Sequence, residues 1–156
     1  MKVLSLSVVI MFLLSFTVMA QDATSRQKQF NLDVGVAIQG YDAVAYMKQG
    51  KPVKGKKEFS VSNQGITYYF SSAANKEEFQ KAPAKYEPEY GGWCAYAMGS
   101  KGEKVNIDPA TFKVVNGKLY LFYNKFFNNT LKDWNKDEAN LKTKADANWQ
   151  KLIQHS

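Results

Sequence analysis

The chain has 156 residues, its 21 Lys and Arg outnumber its 14 Asp and Glu, and the formal net charge at neutral pH is +7. That length suits one domain with a real core, and a supply of 10 Phe, 9 Tyr and 3 Trp excludes a chain too poor in apolar side chains to fold. A single cysteine, Cys94, excludes an internal disulfide, so packing must supply the stability.

At the N-terminus Lys2 precedes an apolar run from Val3 to Val18, broken only by Ser5, Ser7, Ser15 and Thr17 and ending in Val18-Met19-Ala20. The run is short for a hydrocarbon core of ~30 Å and no basic stop follows it, so residues 1–20 read as a signal peptide cleaved after Ala20. No cysteine follows to carry a lipoprotein anchor. The expectation is a secreted or periplasmic protein with no stable membrane anchor after cleavage. The polar stretch that follows reads as a flexible leader, residues 21–30, ahead of the domain proper at 31–156.

Asn31 to Ile38 reads as a short lead-in, and Gly40-Tyr41-Asp42 as a turn with Asp42 capping a brief helix from Ala43 to Met47 that Gly50 closes. Glu58 to Ser62 and Ile66 to Phe70 are rich in β-branched and aromatic residues around Asn63-Gln64-Gly65, a hairpin signal. Ser72 caps a helix through Phe79 that ends before Pro83. Tyr90 to Gly99 is a glycine turn into a crowded helical segment. Asn116-Gly117 joins a second hairpin, Phe112 to Val115 with Lys118 to Tyr123. Two helical stretches close the chain, Asn124 to Trp134 and Asp137 to Ile153, the latter with Leu141, Ala145, Trp149 and Leu152 on one face. The sequence therefore predicts an α+β fold: a small single domain with two β-hairpins packed against several short helices and a C-terminal helix.

Gly40-Tyr41-Asp42-Ala43-Val44-Ala45-Tyr46, the run Gly65 to Ser72, Phe79 with Pro83-Ala84-Lys85-Tyr86, and Tyr90 to Ala97 together resemble the exported branch of the YHS-domain family. The resemblance runs in order from about Ile38 to Trp149 and makes 31–156 a YHS-like domain. It implies kinship with TRASH-type metal-binding modules, which place cysteines in an Asp-Pro-Val-Cys-Gly-Met turn and a Tyr-x-Phe-Cys-Ser-x-x-Cys corner. Carried over residue by residue, the first falls on Asp42 to Met47 and the second on Tyr68 to Asn75. Ala45, Ser71 and Asn75 then stand where the thiolates belong. Neither serine nor asparagine offers a donor suited to zinc or copper(I), so this corner is expected to be metal-free and to use its polar residues as helix caps.

Cys94 admits two readings. As a small buried hydrophobe beside Trp93 it is core, with Met98 filling a gap. As the first of two soft sulfurs one helical turn apart, with Met47 as a third, it is a copper(I) ligand set: Cys94, Met98, Met47. Copper is the one cofactor those donors suit; none is assured. The expected function is a non-enzymatic binding or accessory module, the alternatives being the copper(I) protein or a small-molecule binder or enzyme whose cleft the tyrosines line. No catalytic constellation emerges: the sole histidine, His155, stands next to the last residue, Asp42 reads as a cap, Glu77 and Glu78 as helix surface, and Asp108-Pro109 as a turn. No phosphate-binding glycine loop is present. The lysines at 48, 51, 54, 56 and 57 form the densest basic loop, the rest being interleaved with acids as on a solvated surface. The partner is expected to be a small molecule, a metal or a protein, and export argues against nucleic acid. Asn128-Asn129-Thr130 is a glycosylation sequon in a eukaryotic secretory route.

Overall fold

The computed structural model describes residues 23–154, so the expected signal peptide and His155 lie outside the described residues. Alternation builds the first hairpin, because residues two apart in a strand share a face. In β4 (Ile66–Phe70) the residues Ile66, Tyr68 and Phe70 are buried while Thr67 and Tyr69 are only partly so. β3 (Lys56–Asn63) pairs with it antiparallel, with a bulge between Lys56 and Ser60. A small hairpin of β1 (Leu32–Asp33) and β2 (Val36–Ala37) adds through a parallel pairing of β2 to β4, giving the order β1-β2-β4-β3.

Short helices cover this sheet. α2 (Ala43–Gln49) starts at the Asp42 cap, ends at left-handed Gly50, and has Ala43, Val44, Ala45 and Tyr46 all buried. α3 (Ala73–Lys81) starts at the Ser72 cap and stops before Pro83, which opens the single turn α4 (Pro83–Tyr86). Phe79 meets the rings of Tyr68 and Phe70 at 4.7 and 4.9 Å between centroids. Such pairs add to the stabilisation from area burial alone.

β5 (Asp108–Val115) and β6 (Lys118–Phe122) form the second large hairpin. β6 is buried on both faces and joins two apolar clusters. Leu119 and Leu121 belong to the first, with Ile66, Phe70, Phe79 and Cys94; Tyr120 and Phe122 belong to the second, with Met98, Trp134, Leu141 and Ala145. The second lies among α5 (Ala95–Ser100), α6 (Thr130–Lys136) and the long α7 (Glu138–Gln154). A methyl group at Gly99 would stand 2.5 Å from the Leu141 carbonyl oxygen, so glycine is what lets α5 lie against α7. The expected α+β architecture is the observed one.

Two expectations change. The sequence reads 124–134 as helix throughout, yet only Thr130 onward is helical. Asn124 pairs with Asn129 and Lys125 with Asn128 in a two-residue hairpin, β7 (Asn124–Lys125) and β8 (Asn128–Asn129), and the Asn129 side chain then caps α6 by accepting from the Leu131 N–H. Asparagine satisfies backbone donors outside a helix better than within one. The sequence also reads 21–30 as a flexible leader, whereas residues 23–29 form a helix, α1, tied to the domain. Arg26 meets the Glu87 carboxylate at 2.5 Å, Trp93 Nε1 donates to the Gln29 carbonyl at 2.6 Å, and Phe30 packs on the first cluster.

Candidate functional site

Where the resemblance implies a metal corner, the structure places a carboxylate. Asp42 is completely buried, yet each of its oxygens is occupied. Oδ1 accepts from the N–H groups of Val44 at 2.9 Å and Ala45 at 3.1 Å, the ordinary work of an N-cap. Oδ2 accepts from the Ser71 N–H at 2.8 Å, the Ser71 hydroxyl at 2.6 Å and the Asn75 amide at 2.8 Å. All three positions carried over from the thiolates, Ala45, Ser71 and Asn75, thus converge on this one group. The expectation that Ser71 and Asn75 act as caps is corrected: Ser72 caps α3, accepting from the Asn75 N–H at 3.2 Å, while the Ser71 and Asn75 side chains serve Asp42. Burying an anion without a counter-ion demands this many donors.

The donor set does not fit a soft metal. It holds no thiolate or imidazole, and its donor hydrogens already point at a carboxylate. Among the described residues no three His, Cys, Asp or Glu side chains gather as metal ligands. Nearby, burial above all pushes the Tyr46 phenol well above its ordinary value, with neighbouring Tyr41, Asp108 and, least of these, Asp42 acting in the same direction, and the phenol donates to the Pro109 carbonyl at 2.7 Å.

A second locus lies where α5 starts. Cys94 precedes the helix, its N–H donating to the Val105 carbonyl at 2.9 Å and its backbone bridging to Leu121 of β6. Its side chain is fully buried. The Tyr123 N–H donates to Sγ at 3.3 Å, and Sγ lies 3.4 Å from Thr130 Oγ1. Thr130 gives its own proton to the Tyr123 carbonyl at 2.9 Å, which leaves its oxygen to accept from the thiol. The sulfur is therefore engaged on both sides.

Above this sulfur opens a cleft of about 260 Å³. Cys94, Ala97 and Val105 give it an apolar floor, Tyr96 and Tyr123 add rings, and Ser100, Lys101, Glu103, Asn128 and Thr130 supply polar groups. Of the expected sulfur set only Cys94 lines it. Met98 lies in the second apolar cluster whereas Cys94 lies in the first, and Met47 is a partly buried neighbour of the first. Of the nine tyrosines, Tyr46, Tyr68, Tyr86, Tyr90 and Tyr120 are core, Tyr96 and Tyr123 reach the cleft, and Tyr41 and Tyr69 are partly buried away from it. Lys101 and Glu103 carried no signal in the sequence, and Asn128 and Thr130 only that of a sequon, since the loop after α5 and the junction of β8 with α6 meet only in the fold.

The fold and these two loci define a small hairpin-and-helix domain with a capped, hydrogen-bonded corner. The family model described as YHS domain matches residues 44–90, so this stretch, about a third of the chain, is similar to a YHS domain. The match takes in the Ala45, Ser71 and Asn75 positions and stops before Cys94, so the cleft owes its floor to residues outside the matched stretch. No curated protein and no solved structure matches the chain.

Proposed function

We propose that this protein is an exported, non-enzymatic binding module whose ligand is a small, partly apolar molecule held in the cleft over Cys94. The observation that carries the reading is the cleft's make-up: two tyrosines and an apolar floor, with hydroxyl, amide and charged groups around them, the mixture by which small-molecule sites combine burial with orientation. Its volume of about 260 Å³ lies just below the ~300–1,000 Å³ usual for such sites, which favours a ligand of one ring system. A nucleophilic role is disfavoured because the thiol is buried and donates to Thr130 rather than facing a base. Copper(I) is disfavoured because the Cys94 sulfur is already engaged by the Tyr123 N–H and Thr130 and neither Met98 nor Met47 lines the cleft.

A fragment library screened by thermal shift tests the reading, with Ser100→Trp as the comparison, since that exposed position lines the cleft. Compounds should raise the melting temperature of the protein and leave that of Ser100→Trp unmoved. Stoichiometric copper(I) uptake lost in both Cys94→Ser and Met98→Leu would overturn the proposal in favour of a metal-handling protein. Export is read from the N-terminus of the protein recovered outside the cytoplasm, expected at Gln21.

A further inference from the structure

Among the described residues, four two-residue hairpin turns have positive φ at both positions, Val34-Gly35, Gln64-Gly65, Asn116-Gly117 and Phe126-Phe127, while Ile38-Gln39-Gly40 and Tyr90-Gly91-Gly92 are three-residue runs outside such hairpins. Two-residue hairpin turns of this hand require that geometry, and glycine adopts it without a side-chain clash. The first three place glycine second. The fourth, joining β7 to β8, instead holds Phe126 at φ 52° and Phe127 at φ 64°, and both rings stand in solvent at 89% and 111% relative exposure. A bulky residue in the left-handed region is strained, and here no burial of the ring offsets the strain. Exposed apolar rings are a further liability in water.

We infer that the Phe126-Phe127 turn is a membrane-docking tip that inserts its two rings into the interfacial region of an anionic phospholipid surface. Charge supports that occupant. From Asn124 to Lys132 the chain carries Lys125 and Lys132 and no acid, and the next acid, Asp133, is held by Lys136 at 2.6 Å. Lys101 lines the cleft beside Asn128, with Glu103 the one acid there, and the whole chain is at +7. Lysines beside apolar rings are the combination that binds anionic interfaces. Shape supports it too, because a two-residue convex tip presents far less than the ~800 Å² per partner of a stable protein interface. Asn128, immediately after the tip, also lines the Cys94 cleft, so docking would bring the mouth of that cleft to the lipid surface.

The test is flotation of the purified protein with neutral phosphatidylcholine vesicles and with vesicles of roughly one third phosphatidylglycerol. Its comparison is the Phe126→Asn/Phe127→Gly double variant, which gives the turn the residues its geometry prefers. Binding to the anionic vesicles should fall at least roughly tenfold in the variant while its melting temperature holds or rises. Lys125→Glu should weaken anionic binding and its salt dependence together. Each protein is tested in the form that begins at Gln21, and a local probe reports on the tip itself: a polarity-sensitive fluorophore on Asn128→Cys should shift to the blue on anionic vesicles and not on neutral ones. Equal vesicle affinity of protein and double variant, with no shift of the fluorophore, would overturn the inference, as would vesicle-independent capture of the tip by a soluble protein.

Discussion

The Asp42 corner and the Cys94 cleft are both built on one buried group reached by several elements, and they differ in how completely that group is used. Asp42 accepts five hydrogen bonds from α2, Ser71 and α3, with nothing left over. Cys94 has two long sulfur contacts and a cleft above it. A charge in the interior has to be satisfied in full, so the corner is closed and structural. Sulfur is apolar enough to be buried without that requirement, and the space beside it can remain open. The difference separates a locus that holds the fold from one that is free to bind.

The largest test of this contrast is Asp42→Ala, which strands the Ser71 and Asn75 donors and two helix N–H groups. Urea unfolding should show a loss of about 3–5 kcal/mol, and Asp42→Asn should be nearly as costly because its amide turns a donor toward other donors. Ser71→Ala and Asn75→Ala each remove one partner of a buried charge and should cost about 1–3 kcal/mol, more than loss of a mere cap. In a double-mutant cycle each should couple to Asp42→Ala, because the serine and the amide act through that carboxylate. Independent, additive effects would break the reading of the corner as one unit.

Smaller effects are expected at the cleft. Cys94→Ser should cost about 1–2 kcal/mol, since a shorter C–O bond stretches both contacts, and the native thiol should react slowly with alkylating reagents. Ser100→Trp should change stability by less than about 0.5 kcal/mol, since Ser100 is exposed, while blocking ligands. Smallest of all, equimolar zinc or copper(I) should leave the melting temperature unchanged.

Much of this molecule was written locally and so was legible in the residues. Asp42 and Ser72 announce helix starts through an oxygen near free N–H groups, Gln64-Gly65 and Asn116-Gly117 announce turns through φ, and the apolar face of Leu141 and Ala145 announces the helix over the second cluster. The resemblance identified Ala45, Ser71 and Asn75 as equivalent positions. Only the tertiary structure decided that they meet at Asp42, because side chains 29 and 33 residues away in the chain come to its carboxylate through the pairing of a hairpin with two helices. The β7–β8 hairpin escaped notice because two phenylalanines occupy a turn that normally shows itself by glycine. The cleft was hidden for a different reason. Its floor comes from Cys94, α5 and the loop at Val105, and its remaining groups from Lys101, Glu103, Tyr123, Asn128 and Thr130, so it exists only once β6 has seated Cys94 in the first apolar cluster, a placement set by packing across the whole chain that no local pattern encodes.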